Sequence, residues 1–557
     1  MKFLLIGINS KYIHINPAVY SLRAYAGFPQ DTVVVEHTVN EEPAVILEDI
    51  VDQNPDVIAF SCYIWNRRML SELIPQLAIV LPDADIWLGG PEATYNASEM
   101  MDIYPGICGI MIGEGEQTFY ELRTGYLNGI RDFRDIAGLC VRCEDQVLYT
   151  GERASVNLDT IPFPYDNTRI FDNRIIYYET SRGCPFGCAY CLSSLDTNLR
   201  AKSIEKVYAE LSLFLSHRVK QVKFVDRTFN CLHNHCEKIL EYILAHDNGF
   251  TNFHFEVSAD LLNEHEIELL SQMRRGCIRL EIGVQSTNSE TLKSVHRFSD
   301  QKKIFENIMK LQKPGNLNIH LDLIAGLPFE NIVSFRKSFN EIIALCPDEL
   351  QLGFLKILSR TGMWEKRKEY GIEYNPEPPY EVLKTKWLSY SDIRQLKHVE
   401  NVVDIYYNSH QYDRTVGKML YESGNDAYSV FSRLAGFYGA KGFNNKKPQR
   451  EALFDILFEY IAAAEPENME MYRELLTFDC YARENCKSRP SFCNDSTPYK
   501  NEIREMTRRR EEHIEPFKYS VWEDPWKIGM LPDGVTFIRF VYDKRDAFTN
   551  NAFYEII

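Results

Sequence analysis

The sequence predicts an α/β protein with three parts: an N-terminal flavodoxin-like or Rossmann-like parallel sheet, a partial (β/α)6 barrel, and a mostly helical C-terminal domain. Short apolar segments alternate with amphipathic ones over the first ~150 residues and again from Arg174 to about Gly362, the pattern of parallel sheets covered by helices. Beyond this point long helical patterns, such as residues 451–464, replace the alternation, and one late strand is predicted at 535–542.

We expect the N-terminal domain to occupy residues 1–140, with strands at 2–8, 32–36, 57–61, 86–89 and 109–112. In an open α/β sheet, ligands bind in the crevice beyond the carboxyl ends of the strands. Glycines there let a ligand approach the backbone closely, or simply make tight turns. The residues predicted to line this crevice are Asn9, Ser10, Ser61, Tyr63, Trp65, Asn66, Gly89, Gly90, Pro91, Glu92, Gly113, Glu114 and Gly115.

Residues 141–172 are predicted to be a linker. Cys140 and Cys143 stand in a strand-like segment with side chains on opposite faces, so we interpret them as structural. The turn at 162–165 precedes the next domain.

The second domain is predicted at 173–362, with strands at 175–179, 221–225, 253–257, 279–283, 319–324 and 349–354, and the C-terminal domain at 363–557. Active sites of such barrels lie at the carboxyl ends of the strands. The first strand is followed there by a loop with three cysteines, Cys184-Pro185-Phe186-Gly187-Cys188-Ala189-Tyr190-Cys191.

Three thiolates can hold three irons of a 4Fe–4S cube and leave the fourth iron open to a small molecule. Structural zinc is the alternative, but zinc takes four ligands, and no second cysteine pair stands at a suitable spacing nearby. The cysteine loop therefore favours an iron–sulfur cluster bound by Cys184, Cys188 and Cys191.

This loop resembles that of the radical S-adenosylmethionine (SAM) superfamily, in which the open iron binds the amino and carboxylate groups of SAM. The segment Glu281-Ile282-Gly283-Val284-Gln285-Ser286 is similar to the fourth-strand segment of that family. The resemblance implies SAM contacts from Gln285 and Ser286, while Glu281 is equally suited to pairing with a barrel cation. The full set of SAM-binding candidates is Tyr190, Asp226, Glu256, Ser258, Glu281, Gln285, Ser286 and Leu358.

The Gly89-Gly90-Pro91-Glu92 and Gly113-Glu114-Gly115 turns resemble the cobalamin-binding domain of a large subgroup of these enzymes. The histidine string Asp-x-His-x-x-Gly of better-known cobalamin domains does not occur in this region. The resemblance therefore implies a cobalt whose lower face is open, bound to water, or covered by a nonpolar or other side chain. We expect His14 to pack or hydrogen-bond rather than bind cobalt.

Together these resemblances imply a cobalamin-dependent radical SAM enzyme that methylates an unactivated carbon. Radical rearrangement, ring formation or oxidation without methyl transfer is the alternative, followed by methylthiotransfer and by a non-catalytic corrinoid-binding role. Catalytic side chains and the organic substrate are not identified by the sequence. Such an enzyme would need an external electron donor such as flavodoxin or ferredoxin.

The composition of the chain bears on its partners, its location and the state of its cysteines. The net charge of −17 disfavours a broad nucleic-acid-binding surface, and we interpret the run Arg508, Arg509 and Arg510 as the solvated face of a helix. The short apolar start and the lack of a ~20-residue apolar stretch predict a cytoplasmic protein without a membrane span. Its 14 cysteines are expected to be reduced, and the spacing of Cys480, Cys486 and Cys493 does not match an auxiliary cluster.

Overall fold

The computed structural model describes residues 1–143, 146–444, 448–507 and 511–557. The arginine run at 508–510 therefore lies outside the described residues. The chain forms two compact units, one of residues 1–281, 293–317 and 355–383, the other of residues 282–292, 318–354 and 384–557.

The first sheet lies in the first unit and has the strand order β2-β1-β3-β4-β5-β6-β7. Its first five strands are parallel, whereas β6 and β7 are antiparallel additions at one edge. The strands are β1 (Phe3–Asn9), β2 (Thr32–Thr38), β3 (Val57–Ser61), β4 (Asp85–Gly89), β5 (Gly109–Met111), β6 (Leu139–Cys143) and β7 (Gln146–Tyr149). The helices are α1 (Pro17–Tyr25), α2 (Pro43–Asp52), α3 (Arg67–Val80), α4 (Pro91–Tyr95), α5 (Ala97–Ile103) and α6 (Glu116–Leu127).

Each face of this sheet packs an apolar core because successive strand residues point to opposite sides. Leu4 and Ile6 belong to one core, and Phe3 and Leu5 to the other. Cys140 packs in the first core and Cys143 against the second, as the predicted strand requires. The predicted linker thus begins with two strands of the sheet.

The second sheet has six strands in the order β15-β14-β13-β12-β11-β8. These are β8 (Ile175–Tyr178), β11 (Gln221–Phe224), β12 (Asn252–Val257), β13 (Ile278–Gln285), β14 (Asn318–Ala325) and β15 (Glu349–Phe354). A two-stranded ribbon, β9 (Ser181–Arg182) and β10 (Arg200–Ala201), follows β8. The helices are α7 (Ile204–Ser216), α8 (His233–His246), α9 (Glu264–Gln272), α10 (Ser289–Ser294), α11 (Gln301–Gln312) and α12 (Ile332–Ile343).

The rest of the chain is mainly helical, as predicted, and ends in a three-stranded antiparallel sheet. Its elements are α13 (Gly362–Lys366), β16 (Glu373–Tyr374), β17 (Val382–Lys384), α14 (Tyr390–Tyr406), α15 (Asp413–Glu422), α16 (Ala427–Ala440), α17 (Arg450–Ala464), α18 (Met469–Arg483), α19 (Lys500–Met506), β18 (Glu512–Phe517), β19 (Thr536–Arg545) and β20 (Ala552–Ile556). Among the described residues, no helix is both long enough and apolar enough to cross a bilayer.

Candidate functional site

The three-cysteine loop follows β8 at the carboxyl end of the strand. Cys184 and Cys188 are buried and Cys191 is half-buried, and none of them forms a disulfide. Backbone hydrogen bonds hold the loop: the Cys184 N–H donates to Asp196 O at 3.0 Å, and the Ala189 N–H donates to Val295 O at 2.9 Å. Burial raises the pKa of the Cys184 thiol. A bound metal would reverse this effect, because its positive charge favours the thiolate.

The β9–β10 ribbon closes the two ends of this loop. Ser181 pairs with Ala201 and Arg182 with Arg200. Gly183 follows with φ +94°, and a Cβ built there would lie 2.4 Å from Asn198 O. Only glycine therefore fits at the position just before Cys184.

The two arginines of the ribbon form ion pairs with Glu114 and Glu116 of the N-terminal domain and with Glu179, directly after β8. Arg182 contacts Glu116 at 2.9 Å and Glu179 at 2.7 Å, and Arg200 contacts Glu114 at 2.6 Å. The predicted cofactor residue Glu114 thus forms a protein ion pair. Arg182 was not among the predicted site residues, although it directly precedes the cysteine loop.

Arg297 is a second cation near the cysteines that the sequence did not single out. Its Nη1 lies 3.8 Å from Cys188 Sγ and 3.5 Å from the hydroxyl of Tyr190. Burial opposes the charged guanidinium, yet the neighbouring Tyr190 and Cys188 raise the pKa of Arg297. The contact joins residues 109 positions apart, which no local motif reveals.

The predicted residue Asp226 supports the segment that leads into the loop. It is fully buried and accepts hydrogen bonds from the Thr180 N–H at 3.0 Å and the Ser181 hydroxyl at 2.6 Å. Burial raises the pKa of Asp226, although these hydrogen bonds favour its charged form. Three other candidates lie in this unit. The Ser258 hydroxyl donates a hydrogen bond to the Asp260 carboxylate, and the Leu358 carbonyl accepts one from the Thr361 hydroxyl. The side chains of Glu256 and Leu358 are half-buried.

Glu281 pairs with a barrel cation, one of the two roles expected for it. Its Oε2 accepts from Lys223 Nζ at 3.1 Å and lies 3.0 Å from His254 Nε2. Burial lowers the pKa of His254 to about 4, so this imidazole is neutral at pH 7.

Gln285 has a side-chain oxygen without a hydrogen-bond partner in the described chain, whereas the Ser286 hydroxyl is hydrogen-bonded within the protein. Gln285 has φ +71°, and its Oε1 is buried without a hydrogen-bond partner in the described chain. Ser286 is fully buried and donates from Oγ to Glu330 Oε1 at 2.6 Å. The same Glu330 oxygen accepts from the Ser338 hydroxyl at 3.2 Å, and burial raises the pKa of Glu330 to about 7. Glu330, in the turn after β14, was not predicted as a site residue.

The polar residues at the strand ends of the N-terminal sheet mostly satisfy one another. Asn9 Nδ2 donates to His14 O at 3.1 Å and to Glu36 at 2.8 Å. Asn66 is fully buried and donates to Ser61 O at 2.8 Å. His14 itself lies 2.5 Å from the Tyr177 hydroxyl, in the hydrogen-bonding role expected for it.

The glycine turns of this domain are shaped by the protein backbone. Gly90 has φ +91°, and a Cβ there would lie 2.7 Å from Cys62 O. Gly89 is buried, Pro91 starts α4, and Glu92 is buried against Arg67 and Tyr380. Gly113 is exposed and Gly115 is half-buried.

Tyr63 and Trp65 provide the accessible surface at the same strand ends. Their rings stack with centroids 4.2 Å apart and planes 8° apart, and Trp65 is 44% exposed. Trp65 Nε1 donates to Ile8 O at 3.1 Å, which fixes the indole. Ser10, directly after β1, is half-buried.

Three known domain families match separate regions of the chain. Residues 4–123 match the B12 binding domain, residues 178–342 the radical SAM superfamily, and residues 368–525 a protein of unknown function, DUF4080.

Two curated relatives are methyltransferases. The cobalamin-dependent radical SAM methyltransferase TokK of Streptomyces tokunonensis is 25% identical, over 68% of this chain and 59% of the relative. The 2-(S-pantetheinyl)-carbapenam-3-carboxylate methyltransferase of Streptantibioticus cattleyicolor is 28% identical, over 61% of this chain and 53% of the relative. The aligned regions thus span little more than half the length of these relatives.

Among solved structures, the cobalamin-dependent SAM radical enzyme OxsB, with aqua-cobalamin and SAM bound, shares the fold. Its TM-score is 0.57 at 16% identity, over 86% of this chain and 79% of OxsB. The two matched domains imply a 4Fe–4S cluster, SAM and cobalamin. Regions that match the B12 binding domain, the radical SAM superfamily and DUF4080 thus follow one another along this chain.

Proposed function

We propose that this protein is a cobalamin-dependent radical SAM methyltransferase that methylates an unactivated carbon. The observation that carries the proposal is the three-thiol loop after β8, in a chain whose N-terminal domain matches the B12 binding domain. The two curated methyltransferase relatives support methyl transfer over the alternatives.

The residues present fit these cofactors. Three soft thiol ligands suit iron. In the second unit, Gln285 keeps a buried Oε1 without a hydrogen-bond partner in the described chain, as an acceptor for a polar ligand would. The stacked Tyr63 and Trp65 rings offer an apolar plane suited to a corrin ring. When bound, the cluster with SAM supplies a 5′-deoxyadenosyl radical and cobalamin supplies a methyl group.

The protein's own contribution is positioning and charge. Arg297 places a positive charge beside Cys188, which would favour the thiolate and an added electron at that position. Burial of Cys184 and Cys188 excludes water from two of the three thiols. The loop tip at Pro185, Phe186 and Gly187 is exposed, which would let an external electron donor such as flavodoxin or ferredoxin approach.

We also propose a cytoplasmic location, where free thiols stay reduced.

The first test measures cluster assembly and SAM cleavage. After anaerobic reconstitution with iron, sulfide and cobalamin, we expect about four irons per chain and reductant-dependent release of 5′-deoxyadenosine. Replacing Cys188 with alanine should remove the cluster and lower this release by at least ~100-fold.

Cys231 provides a matched control because it is a half-buried thiol near Cys184: burial, and then the charge of Cys184, raises the pKa of Cys231. Cys231→Ala should keep the iron content and the cleavage activity. Loss of the cluster in this variant would mean that a fourth thiolate closes it, which contradicts an open iron.

The second test follows the methyl group. SAM with a deuterated methyl group, incubated with candidate organic substrates, should give a product that carries the label together with 5′-deoxyadenosine. Consumption of substrate with 5′-deoxyadenosine but no methyl transfer would support rearrangement, ring formation or oxidation instead.

A further inference from the structure

The second unit contains a pair of thiols that the proposed function does not use. Cys480 lies near the end of α18, and Cys486 lies in the segment that follows this helix. Their Sγ atoms are 3.4 Å apart. Cys480 is buried at 5% exposure, whereas Cys486 is half-buried.

The helix end brings the two thiols together. Glu484 caps α18 in an extended conformation, with φ −156° and ψ 155°, and its N–H donates to Cys480 O. The chain therefore turns back immediately after the last helical turn. Cys486 Sγ lies 3.8 Å from Glu484 O, so the return places it beside the buried thiol with only a short loop to close.

The two thiols are not equivalent. Their mutual hydrogen bond lowers the pKa of Cys486 and raises the pKa of Cys480. A more accessible thiol with the lower pKa beside a buried partner is the arrangement in which the first attacks a disulfide and the second resolves the product.

The spacing also separates this pair from a cluster site. In a 4Fe–4S cube each cysteine binds a different iron, which requires thiols further apart than two sulfurs in contact. Sulfurs at 3.4 Å need to move together by little more than 1 Å to reach the bond length of a disulfide.

We propose that Cys480 and Cys486 form a redox-active dithiol that is oxidised reversibly by small-molecule disulfides. The Cys486 thiolate attacks one sulfur of the oxidant and releases the first thiolate. Cys480 then loses its proton to solvent and attacks the Cys486 sulfur, which forms the intramolecular disulfide and releases the second thiol. Two protein thiols lose two electrons, and one disulfide is reduced to two thiols.

Glutathione titration of the anaerobic full-length protein tests this. After equilibration in mixtures of reduced and oxidised glutathione, free thiols are blocked with N-ethylmaleimide and the protein is digested with trypsin. Cleavage after Arg473, Arg483 and Lys487 places the cysteines on separate peptides, 474–483 and 484–487. We expect these peptides to be joined by a disulfide in more than ~80% of chains in oxidised glutathione, and to separate in dithiothreitol.

Single variants test the order of attack even if one of them is less stable. Cys480→Ser should leave Cys486 as an unresolved glutathione adduct, whereas Cys486→Ser should leave Cys480 at least ~5-fold less modified because it is buried. Cys493→Ser should keep the cross-link, and Cys346→Ser, which removes an exposed thiol, serves as the matched control.

Three results would overturn the proposal. In the first, both thiols take up glutathione independently and never cross-link. In the second, the two single variants are modified equally. In the third, the purified protein carries one zinc per chain that Cys480→Ser removes, which would make the pair part of a structural metal site.

Discussion

Glu116 and Glu330 are buried carboxyl groups whose environments differ. Glu116, in the first unit, is 5% exposed and contacts the guanidinium of Arg182 at 2.9 Å. Glu330, in the second unit, is fully buried and accepts hydrogen bonds from the hydroxyls of Ser286 and Ser338. Each supports a segment that carries proposed cofactor residues, the cysteine loop in one case and the end of β13 in the other.

The charge of each carboxyl group depends on which neighbouring groups offset the effect of its burial. Burial alone would raise the pKa of Glu116, but Arg182 outweighs it and the pKa is lowered. Two hydroxyl groups do not outweigh burial at Glu330, whose pKa rises to about 7. A buried carboxylate with a cation thus stays charged, whereas one held by neutral donors is partly protonated near neutral pH.

The largest effect is expected from Arg182→Gln. This variant leaves Glu116 as a buried anion without its cation, which should lower the free energy of unfolding of the first unit by about 3–5 kcal/mol. Urea unfolding measures the change. The double variant Arg182→Gln with Glu116→Gln should recover most of the loss, and a change below ~0.5 kcal/mol in the single variant would show that water replaces the arginine.

A pH-dependent effect is expected from Glu330→Gln. An unfolded glutamate releases its proton near pH 4.5 and the folded one near pH 7, so the folded state binds more protons between these values. Stability from this group is therefore lost as pH rises from about 4.5 to about 7, by about 3 kcal/mol in total.

Glutamine can keep the acceptor oxygen for Ser286 and removes the titration. The variant should be more stable than the parent at pH 8 and similar at pH 5, as judged by urea unfolding at both values. Parallel pH profiles for the two proteins would contradict a raised pKa at Glu330.

The smallest effect is expected at an ion pair exposed to water. Lys441 Nζ lies 2.7 Å from Glu459 Oε2, and both side chains are about half exposed. Lys441→Ala should cost only about 0.2–1 kcal/mol, and less at high salt, because solvent screens the pair. A loss as large as that of Arg182→Gln would mean that burial is not what separates the two cases.

The sequence predicted most of the parallel strands because their apolar runs alternate with helices. All six strands of the second sheet begin within one residue of their predicted starts, from β8 at Ile175 to β15 at Glu349. Strand β7 was not predicted, because a run of only three apolar residues, Val147 to Tyr149, does not by itself indicate an exposed strand at the edge of a sheet. In the C-terminal sheet only β19 was predicted, since β18 and β20 carry charged residues among the apolar ones.

The site was predictable where a motif is local. The cysteine loop is continuous in sequence. By contrast, Arg297 contacts Cys188 from 109 positions away, and Glu330 contacts Ser286 from 44 positions away. Asn66 donates a hydrogen bond to Ser61 O and Glu92 forms an ion pair with Arg67, and a single sequence does not reveal these contacts. The domain boundaries at 140, 172 and 362 and the cofactor contacts stay predictions.

The β9–β10 ribbon has a consequence for how the protein matures. The pairing of Ser181 with Ala201 and the bond from Cys184 N–H to Asp196 O close the cysteine loop through contacts within the protein. The entropy of closing the loop is therefore offset during folding itself. Three thiols on a loop that protein contacts hold at both ends lose less conformational entropy when they bind a cluster than thiols on an open segment would.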